Sequence, residues 1–278
     1  MMRLVTVFFR ATAGAALLAL TLPETALAID TIPFTPINGL IQVQGSVDGA
    51  APLPMLVNLG AGIDVLSSNV GRRFVRVNGK YVSLRLSGER VDLPIGTVDA
   101  LTIGGVSLQA PHVGIWSGLD GTGVDGLISA TAFRNITATF DFRTQKVIIE
   151  DAETFPERIR TATRIPLILQ DDLGIALGVF ARFDFGGGKI GLCEIDTGSA
   201  GITIDKTFAA ANGLDAGSAP TARVAKLELA GAPNTAIDAP AVSVGNLIYD
   251  CDVGNSFWAA RSFTLDLPNR FMYVSTGP

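Results

Sequence analysis

Few side chains in this sequence could do chemistry, and most of the familiar arrangements can be set aside. The 278-residue chain has one His, His112, and two Cys, Cys193 and Cys251. A Ser-His-Asp or Cys-His nucleophile would have to rest on His112, which follows Pro111 on an apolar stretch, has no visible partners and reads as structural. One His and two Cys do not furnish an ordinary structural zinc site, and no carboxylate ligand motif appears, so no metal is expected. The 26 acidic residues remain. Among them Asp196 stands at the head of a small-residue turn, Asp196-Thr197-Gly198-Ser199, entered from an apolar strand. Read alone, that tetrapeptide is an ordinary surface turn, because Asp and Gly are common turn formers.

The elements around it repeat. Cys193 to Ala200 lines up with Met55 to Gly62, so Asn58 answers Asp196, Leu59 answers Thr197 and Gly60 answers Gly198. A second pair of segments, Thr139-Phe140-Asp141-Phe142 and Thr264-Leu265-Asp266-Leu267, opens two β-hairpins of matching pattern. With 48% hydrophobic and 17% charged residues, 31 Gly and 14 Pro, the chain suits many short strands around a real core. We read two similar β lobes, 33–150 and 165–278, joined by a polar connector at 151–164 that lacks a strand period. The first lobe is longer, and Phe74 to Val77 with Tyr81 to Leu86 supplies the extra hairpin, its turn placed at Asn78-Gly79. Short helices are expected at 67–74, 130–135, 205–212 and 256–261, the third capped by Asp205 and stopped by Gly213.

The repeated turns, the later apolar-apolar-Gly segment Asp252-Val253-Gly254 and the closing hairpins together resemble the aspartic protease family, its bilobal pepsin-like and retropepsin-like bacterial members in particular. The resemblance covers nearly all of residues 33–278 and implies an all-β, two-lobed, pepsin-like fold with a cleft between the lobes. It implies a hairpin, carrying Asn78 and Gly79, laid over that cleft as a flap. It also implies an aspartic endopeptidase acting on an extended peptide or unfolded protein, with no cofactor and as a monomer. The family's chemistry needs two carboxylates that share one proton: the ionised one activates water, the protonated one donates to the peptide carbonyl.

Lobe 1 departs from that pattern at three places. Asn58 stands where the family has Asp, Leu59 where it has Thr, and Ser129 where lobe 2 has Gly254 in its supporting loop. An amide has no useful acid or base function at ordinary pH, so only Asp196 of the dyad is present. Asp64 or Asp125 could stand in for the missing carboxylate, though strand alternation leaves the direction of Asp64 open; a homodimer joining two Asp196 residues is another route. Catalysis is therefore expected to be impaired, and a non-catalytic binding module using the same cleft is the alternative.

In the family fold the strands that carry Cys193 and Cys251 run side by side, so the resemblance implies a disulfide between them, with two buried free thiols as the alternative. Residues 1–28 read as a cleaved export signal: Arg3 and Arg10 precede the apolar stretch Ala11 to Leu22, and Ala26-Leu27-Ala28 closes it. A periplasmic or secreted protein is expected, an uncleaved anchor being the other possibility. The net charge of −5 argues against nucleic-acid binding. Gly121 to Gly126 spells G-x-G-x-x-G, yet its β-rich surroundings lack the strand–helix context of a dinucleotide site.

Overall fold

A computed structural model describes residues 30–214, 220–222 and 224–275; the expected export signal lies outside them. Short alternating apolar runs become strands because each can bury one side of its pleat. Among the described residues these strands form three sheets. A ten-stranded sheet is built from residues 35–128 and a nine-stranded sheet from residues 168–253, one for each lobe. The third, six-stranded, joins the two closing hairpins: Thr137–Asp141 pairs antiparallel with Ser262–Asp266.

The register of that junction shows the symmetry of the repeat. Thr139 lies opposite Thr264, its own counterpart in the other half, and their hydroxyls are 2.7 Å apart. Pairing two equivalent residues antiparallel requires an approximate two-fold axis between them. Phe140 and Phe263 stack beside it with ring centroids 5.0 Å apart, and the matching pair Phe133 and Trp258 is fully buried. The repeat is thus packed against itself through a shared aromatic core.

Local expectations are largely met. Helices run over Ser68–Phe74 and Lys206–Ala211, with a 3-10 turn at Ala130–Phe133 and a single helical turn at Asn255–Trp258. Asp205 caps its helix by accepting from the Thr207 and Phe208 amides. Leu173-Gly174 turns the hairpin between Ile168–Asp172 and Ala176–Asp184, both residues at positive φ.

Residues 151–164 hold the helix Thr154–Ile159 and the start of the strand Thr163–Pro166, which finds its partner in Phe271–Ser275. That strand's period was invisible because only tertiary pairing supports it. One expectation is corrected. The long hairpin of lobe 1 exists, but Asn78-Gly79 is not its turn. Both residues lie inside the strand Arg76–Leu84, where the register slips between Val77 and Gly79 as at a β-bulge. The turn comes at residues 85–89, closed by Arg85 N–H to Glu89 C=O and Gly88 N–H to Arg85 C=O. Moving the turn outward lets the strand pair along its whole length with Arg90–Thr97. Asn-Gly serves a bulge as readily as a turn, so its composition alone could not decide between them.

Cys193 and Cys251 sit opposite each other on adjacent parallel strands and are joined by a disulfide. The bond links residues 58 apart in sequence, so it restricts a long loop in the unfolded chain. Replacing both Cys with Ala should lower the unfolding free energy by about 2–4 kcal/mol. Urea unfolding of the two proteins measures this directly; equal midpoints and slopes would show that the bond contributes nothing.

Candidate functional site

Each lobe presents a turn of the same construction. The strand Leu53–Val57 delivers Asn58, whose N–H donates to Ile128 C=O at 2.8 Å; the strand Ile190–Ile195 delivers Asp196, whose N–H donates to Val253 C=O at 3.2 Å. The turns close alike, with Ala61 N–H on Asn58 C=O and Ser199 N–H on Asp196 C=O. Asp196 Oδ1 accepts from Gly198 N–H at 2.7 Å and, across the lobes, from Gly60 N–H at 3.3 Å. Glycine is required at both positions because a Cβ on Gly60 would strike the Asp196 carboxyl and one on Gly198 the Asn58 amide. Each side chain therefore lies over the glycine of the opposite turn. Asn58 and Asp196 also line one common cavity.

The lobes are locked at this point by half of a reciprocal latch. Thr197 Oγ1 accepts from Leu59 N–H at 3.0 Å and donates to Val57 C=O at 2.7 Å. Leu59, fully buried, has no hydroxyl with which to return the contact. Asn255 adds a tie missed in the sequence: its amide donates to Thr197 C=O and to Gly39 C=O, joining the turn of lobe 2 to a loop of lobe 1. Gly254 donates its N–H to Gly201 C=O and supports the turn from below.

Asp64 does not occupy the missing carboxylate's place. Its carboxyl accepts from Ser129 N–H, Ser129 Oγ and Thr131 Oγ1 in the interior of lobe 1. Ser129, where lobe 2 has glycine, is thus explained as a donor for Asp64. Burial pushes Asp64 up to about 7, against the lowering effect of those bonds. Asp125 accepts from Ser67 Oγ at 3.4 Å just before the strand Gly126–Ile128 and does not line the cavity. The G-x-G-x-x-G segment ends in the strand Gly126–Ile128 and opens no helix. His112 lies outside the cavity as well.

The hairpin of lobe 1 roofs the site. Tyr81 Oη donates to Asp172 at 2.8 Å, and Ile248 N–H donates to Leu86 C=O at 3.0 Å, so the roof reaches lobe 2 from both a strand and its turn. Under it lie two cavities that share Gly60, Ala61 and Ser83 among their walls. One, of about 260 Å³, holds Asn58 and Asp196 and is walled by Arg85 and by the apolar Ile63, Val65, Leu93, Trp116 and Leu127. The other, of about 420 Å³, carries Glu194, Asp171, Asp172, Tyr81 and Tyr249.

Three carboxylates crowd the site from lobe 2. Glu194 pairs with Asp252 across adjacent strands, and alternation puts both on the side of the sheet that carries Asp196. Burial raises Asp196 above the usual carboxylate range, while its two amide donors pull the other way. Burial, and then the neighbouring Asp196, raises Asp252 as well. Glu194 is held well above its ordinary value by burial first, then by Asp196 and Asp252. The sequence carried the signal for these residues: alternation couples Glu194 to Asp196, and the repeat sets Glu194 and Asp252 against the apolar Leu56 and Leu127. Among the described residues no group of three or more His, Cys, Asp or Glu side chains is arranged to hold a metal ion.

No protein-family model matches the chain, and no curated protein matches it by sequence. Its structure is similar to that of an aspartic proteinase from Irpex lacteus, at a TM-score of 0.56 and 16% identity over 90% of this chain and 97% of the other. It is also similar to basic 7S globulin from soybean, at a TM-score of 0.56 and 12% identity over 90% and 95% of the two chains. What is shared at these identities is the architecture: the chain has the two-lobed, all-β fold of the pepsin-like aspartic proteinases.

Proposed function

We propose that this chain is an exported relative of the aspartic peptidases whose cleft binds extended peptide, with ordinary proteolysis impaired. The observation that carries the reading is the exchange of side chains across the lobes, Asn58 lying over Gly198 and Asp196 over Gly60. The place that a second carboxylate would need is filled by an amide. Asp196 alone can polarise a water when ionised, but no partner there offers a proton to the peptide carbonyl. Of the two similar structures, one is named a proteinase and the other a globulin. Export accords with the disulfide, since such bonds persist in oxidising compartments. Among the described residues no helix is long and apolar enough to cross a membrane. Extended peptide suits a site between two sheets roofed by a hairpin, where exposed backbone groups can pair with a strand-like ligand.

A second reading, residual hydrolysis, is favoured by Asp252, which is buried beside Asp196 with Oδ1 unpartnered among the described residues. It could share a proton with Asp196. Against it, Asp252 walls neither cavity, which keeps it from the peptide carbonyl. Incubating the purified protein, disulfide intact, with peptides from an unfolded protein between pH 3 and 7 separates the two. The binding reading expects captured, uncleaved peptides. Cleavage abolished by Asp196→Asn would replace it with the hydrolytic reading.

A further inference from the structure

The larger of the two cavities is unusual in its charge. Glu194 is 94% buried by virtue of a 6% relative exposure, walls the cavity, and accepts no hydrogen bond from any described residue. No Lys or Arg is among the residues that form the walls. Its neighbours make matters worse, since Asp196 and Asp252 are themselves acidic. Of the other acids present, Asp171 is already paired with Arg134 at 2.5 Å, while Asp172 has, among the described residues, only the Tyr81 hydroxyl. A buried carboxylate without donor or counter-charge is costly and is ordinarily compensated by a proton or a cation.

The repeat makes this a property of one lobe. Glu194 opposite Asp252 in lobe 2 corresponds to Leu56 opposite Leu127 in lobe 1. Leucine satisfies the same strand position, so the fold does not demand an acid there. The two cavities differ in the same sense: the smaller has the apolar Leu127 on its wall and Arg85 beside the single acid Asp196, the larger has Glu194, Asp171 and Asp172 with no cation, and the Gly60-Ala61 turn borders both.

We propose that the larger, acidic cavity receives a basic side chain, Lys or Arg, from a peptide whose neighbouring residue fills the smaller cavity, with Glu194 as the counter-charge. This rests on the peptide-binding reading above. At about 420 Å³ the cavity has room for a long side chain. Tyr81 and Tyr249 on its walls suit the aliphatic stem, and Asp172 adds a second acceptor.

The test uses a pool of octapeptides with Phe fixed at the fourth position, to seat in the smaller cavity, and the other positions randomised. Peptides retained by the purified protein at pH 7 are sequenced. Lys and Arg should be enriched over Gln and Met by about 10- to 100-fold at a position beside the Phe, the range expected of a hydrogen-bonded charge pair. Glu194→Gln should erase that enrichment while peptides are still retained. Retention with no basic preference, or with basic residues enriched evenly at all positions, overturns the pocket and leaves the peptide-binding reading standing. Enrichment that survives Glu194→Gln also overturns it. No retention of any peptide defeats the peptide-binding reading and this proposal together. If Glu194→Gln fails to fold, Glu194→Leu, which places in lobe 2 the residue that lobe 1 carries at the same strand position, takes its place and should erase the enrichment equally.

Discussion

Asn58→Asp is expected to raise peptide hydrolysis between pH 3 and 7 by about 10²–10⁴-fold, the usual contribution of a positioned acid–base group. The backbone is already built for it. Asn58 lies over Gly198 as Asp196 lies over Gly60, so a carboxylate of nearly the same shape enters without displacing either turn. In the cavity that also holds Asp196, a second carboxylate would disfavour ionisation of both together, and the pair would hold one proton between them. Leu59 need not change first, because its N–H already engages the Thr197 hydroxyl. The measurement compares initial rates on an unfolded protein substrate for wild type, Asn58→Asp, and Asn58→Asp combined with Asp196→Asn. Gain in the first variant and its loss in the second is the expected pattern. A folded Asn58→Asp protein no faster than wild type would show that residue 58 is not what limits hydrolysis.

The second large effect is on stability. Asp64, Glu194, Asp196 and Asp252 all have raised values in the folded chain, chiefly through burial. The sign follows from proton counting. Between the unfolded value near 4 and the raised folded value, the native state holds protons that the unfolded state has released, so stability falls as pH rises. Below that window both states are protonated and no penalty applies. For Asp64 the window runs from 3.8 to about 7, and at about 1.4 kcal/mol per unit the loss is about 4 kcal/mol. Surface acids held low by Arg partners, Asp92 and Asp99, act in the opposite sense but are solvent-screened.

Urea unfolding at pH 4, 5.5 and 7.5 should therefore show the protein weakest at the highest pH. Asp64→Asn keeps an acceptor for Ser129 and offers Thr131 a donor, yet cannot ionise. It should flatten the decline by up to about 4 kcal/mol. An unchanged decline in that variant would mean that Asp64 does not carry the effect.

Much of this was legible in the residues. The repeat is written into the pairs Asp196 and Asn58, Thr264 and Thr139, Trp258 and Phe133, and strand alternation with turn composition turned those pairs into two β lobes. Asn58 was informative for the same reason: a local repeat fixes which residue answers which, whatever the angle between the lobes. Caps such as Asp205 were readable because they depend on neighbours two and three residues away. The place of the hairpin turn was not, because Asn-Gly fits a bulge as well as a turn, and neither was the strand Thr163–Pro166, whose partner Phe271–Ser275 lies far along the chain.

The site divides along the same line. Sequence alone determined that the chain carries one Asp-Thr-Gly turn and an Asn in the answering place, because identity and spacing are properties of the chain. Only the tertiary structure decided that Asp64 turns inward to Ser129 and Thr131, since strand alternation offers two faces and packing chooses one. It also decided that Glu194 stands, among the described residues, without a donor beside two further acids at the wall of a cavity. Burial and electrostatic surroundings are sums over residues brought together from both lobes, and no local pattern contains that sum.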